Sequence, residues 1–276
     1  MTIILDAMGS DQYPDPEIQA AVTAAEIYGE EIILVGNQSL LEPKLRAANL
    51  KGLPVTIEDA PDLVEMGEKP VEAARRKPRN SMAVGLGLIK TGRGQAFVTA
   101  GNTGAAMFNA LRTLGRIPGV ARPGLTALFP VKDGHCAVVD IGANSECRPE
   151  FLLQFAVMGS VYAEKVLNKP NPRVGLLSNG EEAGKGNALT HDTYPLLEKS
   201  GLNFIGNVEG KELFGGMADV VVTDGFTGNV LLKSSEAVAK LLVDILKAEL
   251  MSSFTTKIGA LLAKPAFGKI KQMLDP

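Results

Sequence analysis

Val98-Thr99-Ala100-Gly101-Asn102-Thr103-Gly104 and Val222-Thr223-Asp224-Gly225-Phe226-Thr227-Gly228 are one phrase written twice, with two changes. In each copy an apolar β-type run, Ala96-Phe97-Val98 or Val220-Val221-Val222, enters a Gly-x-Thr-Gly turn, and a helical pattern follows. A strand that ends in paired glycines and then starts a helix gathers backbone N–H groups and a hydroxyl at the positive end of a helix dipole. That arrangement suits an anion, phosphate above all. One glycine turn is often only a connection; two of the same design point to a cleft for a small anionic substrate.

Outward from these phrases, β-rich runs alternate with helical patterns. Strands are expected over 2–6, 32–36, 54–58, 95–100, 124–130, 136–141, 172–178, 203–206 and 219–224. Helices are expected over 16–28, 80–91, 103–114, 149–167 and 186–200. Such alternation builds right-handed β-α-β units and a mostly parallel α/β sheet covered on both faces. Residues 1–230 read as this core. Beyond Asn229 the pattern changes. Leu231, Val238, Leu241, Leu242, Ile245 and Leu246 keep helical spacing as far as Leu250. After Ser252-Ser253 come Phe254, Ile258, Leu261, Leu262, Phe267, Ile270, Met273 and Leu274, with Pro265 interrupting them. Lys257, Lys264, Lys269 and Lys271 lie among them against Asp275. Residues 231–276 therefore read as a helical C-terminal region, for which core or dimer packing and an anionic membrane surface both remain open.

Composition narrows the classes. With 45% hydrophobic and 21% charged residues the chain is globular rather than disordered. A net charge of −3 gives no basic field for nucleic acid. Two cysteines, Cys136 and Cys147, make no disulfide framework, and Met1 to Asp6 reads as a strand rather than a signal peptide. No apolar run approaches the ~20 residues that span a bilayer. A soluble cytoplasmic protein is expected.

In parallel sheets ligands bind beyond the carboxyl ends of the strands. Those ends read Asp6-Ala7-Met8-Gly9-Ser10-Asp11, the first Gly-x-Thr-Gly loop, Asp140-Ile141-Gly142-Ala143-Asn144, Ser178 to Asn187, and the second Gly-x-Thr-Gly loop with Asn229. Five such ends on one sheet edge read as a site. Gly180 to Gly186 is no nucleotide P-loop, because three residues rather than four separate Gly180 from Gly184, and Gly186, not a hydroxyl residue, follows Lys185. Lys185 is either a surface lysine or a cation for phosphate or a developing oxyanion. Gly85 to Lys90 lacks the third glycine of a dinucleotide fingerprint. His135 and His191 have no metal-ligand spacing, so neither cofactor nor metal is expected. Cys147 has no basic partner nearby and reads as a packing residue. Arg75, Arg76, Lys77 and Arg79 form a basic run, either a solvated face or a dock for an acidic protein.

Taken together, Asp6-Ala7-Met8-Gly9, Ala100 to Ala105, Asp140 to Asn144 with Cys147 and Pro149, Gln154-Phe155-Ala156, Met158-Gly159, Val174 to Leu177, Lys185-Gly186-Asn187, Phe204 to Glu209 and Asp224 to Asn229 resemble a known family. It is the bacterial phosphate acyltransferase family of phospholipid synthesis (acyl-acyl carrier protein:phosphate acyltransferase, PlsX). Two departures stand out. The first loop has Gly9-Ser10-Asp11-Gln12 where the family commonly reads Gly-Gly-Asp-His, so no role passes to that histidine. The sequence also stops at Asp275-Pro276, where family members continue into a glycine-rich segment with a His-Gly-Ser stretch. On this comparison the C-terminal region is truncated.

The resemblance implies a three-layer α/β/α fold like the isocitrate and isopropylmalate dehydrogenases. It implies acyl transfer from acyl carrier protein to inorganic phosphate, a homodimer, and contact with the membrane or with a glycerol-3-phosphate acyltransferase. Phosphate is a competent nucleophile, so the protein must mainly position it and stabilise an oxyanion. Gly101 to Gly104 and Gly225 to Gly228 would supply backbone donors, and Thr103, Thr227, Asn102 and Asn229 side-chain hydrogen bonds. Lys185 would offset charge, Asp224 and Asp140 would orient these groups, and Asn144 would line the substrate. Arg75, Arg76 and Arg79 would meet the carrier; Lys257, Leu261 and Lys264 would meet the membrane. The other readings are a NAD-dependent dehydrogenase of the related fold and a non-catalytic membrane-associated scaffold.

Overall fold

The structure, a computed structural model, describes residues 1–48, 50–132 and 134–274, with side chains as far as residue 270. Asn49, Asp133, Asp275 and Pro276, and with the last two the early stop and the acid set against the lysines, lie outside the described residues. The chain divides into two compact units, Met1–Ile117 and Pro118–Pro276. This division falls inside the span 1–230 that the pattern suggested as one core.

In the N-terminal unit β1 (Thr2–Asp6), α1 (Asp15–Tyr28), β2 (Glu31–Gly36), α2 (Gln38–Ala47), β3 (Val55–Asp59), α3 (Pro70–Arg76), α4 (Ser81–Lys90), β4 (Ala96–Val98) and α5 (Thr103–Thr113) follow one another. The strands form a fully parallel sheet in the order β3-β2-β1-β4. The two-residue alternation of a strand sends Ile32 and Leu34 to one face, packed with Ile18, Ala21 and Leu41 of α1 and α2. It sends Ile33 and Val35 to the other, packed with Leu88 of α4. A sheet buried on both faces needs continuous apolar strands, and Ile32 to Val35 is such a run.

The C-terminal unit contains β5 (Thr126–Val131), β6 (Gly134–Val139), α6 (Pro149–Lys165), β7 (Val174–Leu177), α7 (Ala188–Glu198), β8 (Phe204–Val208), α8 (Gly210–Phe214), β9 (Val220–Val222), α9 (Gly225–Leu250) and α10 (Phe254–Leu274). Its sheet runs β5-β6-β9-β7-β8, parallel except for the β5–β6 hairpin. Val220 and Val222 pack with Phe155 of α6 and Leu197 of α7, while Val221 packs with Leu213 of α8 on the other face. The mostly parallel α/β arrangement read from the alternation is therefore present, carried by two sheets. The five strand ends expected on one edge are divided, two on the first sheet and three on the second. Pro265, expected to interrupt the last helical stretch, lies inside α10. Proline removes one backbone hydrogen bond there without ending the helix.

Candidate functional site

In the order β3-β2-β1-β4 the chain direction of the connections reverses between β1 and β4, and ligands gather beyond the strand ends at such a switch point. Two loops leave that point together, Ala7 to Tyr13 and Thr99 to Asn102. Asp6, fully buried, ties them: its carboxylate accepts from the Met8 N–H at 3.0 Å and from the Thr99 hydroxyl at 2.6 Å. The Thr99 Oγ1 in turn accepts from the Gly101 N–H at 3.0 Å. The loops touch backbone to backbone, since a Cβ on Gly9 would lie 2.6 Å from the Gly101 nitrogen. Asn102 then caps α5. Its Oδ1 accepts from the Ala105 N–H at 3.0 Å, and its Nδ2 donates to the carbonyls of Met66 and Glu68 at 3.0 and 3.3 Å. The Asn102 side chain, expected to bond substrate, is thus hydrogen-bonded within the protein at both its oxygen and its nitrogen. The N–H groups of Thr103 and Gly104 and the Thr103 hydroxyl have no partner among the described residues. The first phrase is an open helix N-terminus at the switch point.

The second phrase is closed. Asp224 caps α9, its Oδ1 accepting from the Phe226 and Thr227 N–H groups at 3.0 and 2.9 Å and its Oδ2 from the Thr227 hydroxyl at 2.7 Å. The Gly225 N–H donates to the Asn144 carbonyl at 2.7 Å, and the Gly228 N–H to the Asp224 carbonyl at 2.9 Å. All four backbone donors and the Thr227 hydroxyl are taken. The donors expected to be free for phosphate at Gly225 to Gly228 and Thr227 are thus engaged within the protein, with the Asp224 carboxylate at the helix N-terminus. The two changes between the phrases cause this. Where the first copy has Ala100 and Asn102, the second has Asp224 and Phe226, so the capping residue and the start of the helix move two positions earlier. A cap of this kind is worth about 0.5–2 kcal/mol.

Asp140, at the tip of β6, is fully buried with φ 71°. Its Oδ1 accepts from the Ala143 N–H at 2.7 Å, with Gly142 at 3.4 Å, and its Oδ2 accepts from the Asn144 N–H and Nδ2 at 3.1 and 2.9 Å. Asn144 Nδ2 also donates to the Pro123 carbonyl at 2.8 Å. Both side chains are hydrogen-bonded in holding this loop. The loop lies hard against the first turn of α9. A Cβ on Gly225 would come within 2.7 Å of the Asn144 nitrogen, and one on Gly228 within 2.2 Å of the Asp140 oxygen. Asn229 lies over Gly142, and its side-chain amide has no hydrogen bond among the described residues.

Lys185 sits in the exposed loop between β7 and α7, with its stem against Gly180 and its ammonium in no ion pair among the described residues. The loop is pinned by Asn207, whose Nδ2 donates to the Glu182 carbonyl at 2.9 Å. Beside it a cavity of about 510 Å³ opens, lined by Leu177, Ser178, Asn179, Gly186, Asn187 and Thr190 from the β7–α7 segment and by Thr223, Asp224, Thr227, Val230 and Leu231 from the β9–α9 segment. The structure thus brings the Lys185 loop and the second phrase to one cavity. Sequence reading passed over Ser178, Asn187 and Thr223 as site residues, although each adjoins or belongs to a phrase it quoted.

Cys147 is half buried, and its thiol donates to the Asn144 carbonyl at 3.4 Å. Burial first, then the Asp140 charge, push that thiol up to about 11, which keeps it protonated at neutral pH. In the basic run Arg76 pairs with Glu68 at 3.6 Å, Arg79 with Asp59 at 3.0 Å, and Arg75 stands 5.9 Å from the centre of the Phe108 ring. The patch is of mixed charge. Lys257, Leu261 and Lys264 are exposed on α10, beside exposed Phe254, Ile258 and Leu262. Among the described residues no helix is long and apolar enough to cross a membrane.

A fatty acid synthesis protein family matches residues 1–276. The phosphate acyltransferase of Acidobacterium capsulatum is 49% identical over 99% of this chain and 82% of its own length. That of Elusimicrobium minutum is 48% identical over 100% of this chain and 81% of its own. Among solved structures, the EutD phosphotransacetylase of Staphylococcus aureus aligns with TM-score 0.62 at 19% identity, covering 87% of this chain and 82% of that one. A branched-chain phosphotransacylase from Enterococcus faecalis aligns with TM-score 0.61 at 17% identity, over 85% and 83%. Both show the shared fold.

Proposed function

This chain belongs to the phosphate acyltransferase family, acyltransferases of fatty acid and phospholipid synthesis, and from that premise we propose that it moves the acyl group of acyl-[acyl carrier protein] to inorganic phosphate. The observation that carries the phosphate assignment is the open N-terminus of α5, where two N–H groups and the Thr103 hydroxyl stand without partners among the described residues at a switch point. A phosphate oxygen attacks the thioester carbonyl carbon, a C–O bond forms, and the carbonyl electrons collect on oxygen. Collapse of that oxyanion breaks the C–S bond and leaves acyl phosphate and the carrier thiolate, which takes up a proton. Lys185, whose ammonium is in no ion pair among the described residues, is the cation that the C-terminal unit offers to developing negative charge. Asp140, Asn144, Asp224 and the glycines of the second phrase hold the framework of the C-terminal unit.

In the same reading the protein works as a homodimer at a membrane surface, passing acyl phosphate to a glycerol-3-phosphate acyltransferase. The exposed apolar side chains of α9 and α10, among them Leu241, Leu242, Leu261 and Leu262, support this. The test is to incubate the protein with acyl carrier substrate, with and without phosphate, measuring free carrier thiol and trapping acyl phosphate with hydroxylamine. Thiol and hydroxamate should appear together, and only with phosphate. Thiol release that ignores phosphate would overturn the assignment, as would a reaction that needs a nicotinamide cofactor.

A further inference from the structure

The cavity at the tips of β7 and β9 carries polar groups that the framework does not use. Thr223, only 3% exposed, lines it with a hydroxyl that has no hydrogen-bond partner among the described residues. Ser178, at the tip of the neighbouring strand, has an Oγ shut off from solvent and likewise without a partner. Asn187 accepts from the Thr190 N–H and hydroxyl at 3.0 and 3.2 Å, which leaves its Nδ2 free to donate. Buried polar groups in folded proteins are paired, and one that lacks a protein partner marks a place for water or a ligand. The lining also has apolar members, Leu177, Val230 and Leu231.

Charge decides what kind of ligand fits. Asp224 is the only charged residue in the lining; no lysine, arginine or histidine is present. The positive end of α9 is already committed to the Asp224 carboxylate. A phosphate dianion would meet that carboxylate with no cation in the lining to offset it. A neutral chain bearing amide groups between short methylene runs meets hydroxyls, an amide and apolar side chains. The volume, about 510 Å³, suits a small-molecule site.

We propose that this cavity receives the neutral, amide-bearing arm by which the acyl donor presents its thioester, a pantetheine-type chain. Ser178, Thr223 and Asn187 are its polar contacts. The inference rests on the acyl-transfer reading above and adds donor-recognition residues to it.

The test uses the full chain. Pantetheine alone is titrated into the wild-type protein and into Thr223→Val by calorimetry, a measurement that needs no turnover. Steady-state KM values for acyl-pantetheine and for phosphate are then compared in wild type, Ser178→Ala, Thr223→Val and Thr223→Ser. Pantetheine should bind wild type and bind Thr223→Val about tenfold more weakly. The KM for acyl-pantetheine should rise about tenfold in Ser178→Ala and Thr223→Val and stay near wild type in Thr223→Ser, which keeps the hydroxyl. The phosphate KM should hold within about twofold throughout. No pantetheine binding to wild type overturns the proposal, as does an unchanged donor KM in both hydroxyl-deleting variants. A rise in phosphate KM instead would make the cavity a phosphate site. Wild type that binds pantetheine but turns over no acyl donor would sink the acyl-transfer reading alone.

Discussion

Asp140→Asn isolates the carboxylate that holds the β6 loop. Asparagine tolerates the left-handed backbone at this position almost as well as aspartate, so the φ of 71° adds little strain. What changes is the acceptor count. The carboxylate faces three strong donors, Ala143 N–H at 2.7 Å and the Asn144 N–H and Nδ2 at 3.1 and 2.9 Å. An amide offers one oxygen and brings an NH2 of its own. Its cheaper orientation keeps both Asn144 bonds and leaves the Ala143 N–H facing another donor. One lost hydrogen bond to a charged group is worth about 1.5–3 kcal/mol, and a stranded buried donor makes the upper part of that range apply. The surviving bonds weaken as the charge goes, giving about 2–4 kcal/mol in all. At about 2–4 °C per kcal/mol for a unit of this size, the melting temperature should fall by roughly 4–16 °C. Thermal unfolding followed by circular dichroism measures it. A shift under about 1 °C would show that the carboxylate does not hold the loop.

Lys185→Ala should lower kcat by at least ~10²-fold, the usual scale for losing one oxyanion-stabilising group, with Tm unchanged because the ammonium supports no ion pair; unaltered turnover would remove Lys185 from the reaction. Gly9→Ala should destabilise more than Gly101→Ala. The new methyl at Gly9 strikes the Gly101 backbone nitrogen at 2.6 Å, whereas at Gly101 its nearest neighbour, also at 2.6 Å, is the yielding end of Met82. The expected cost at Gly9 is about 1–3 kcal/mol by chemical denaturation, and equal midpoints would refute the reasoning. Burial raises the Asp219 carboxyl, but hydrogen bonds and charge from Arg173 outweigh it and hold the group below its ordinary value near 3.8. A carboxyl depressed in the folded state stabilises above its unfolded pKa, and that stability is lost as pH falls through the folded value. Asp219→Asn should therefore flatten the fall in Tm on acidification below about pH 4, and a parallel fall in both proteins would contradict it.

Much of the fold was legible. All nine expected strands overlap observed ones, because runs such as Ile32 to Val35 and Val220 to Val222 are buried on both faces and so continuously apolar. Helices α2, α3 and α8 went unread. Pro43 lies inside the first, the second is masked by its arginines, and the third has five residues, too few for a period. The division of strands between two sheets was invisible, since pairing joins residues as distant as Ile4 and Phe97. At the site, the repeated phrase was legible, but the difference between its two copies was not. Ala100 and Asn102 against Asp224 and Phe226 looked like tolerated variation, yet those positions decide which helix end keeps its donors. Ser178 and Thr223 stood within quoted stretches, yet nothing there singled out their hydroxyls, because a hydroxyl without a partner exists only in three dimensions.

The inequality of the two phrases can be put to one measurement, the phosphate KM of Thr103→Val and Thr227→Val. Thr103 offers an uncommitted hydroxyl at an open helix end, and a lost hydrogen bond to a charged ligand is worth about tenfold or more. The phosphate KM should rise by that factor in Thr103→Val and hardly move in Thr227→Val, whose hydroxyl is already given to Asp224. A rise confined to Thr227→Val would contradict the account.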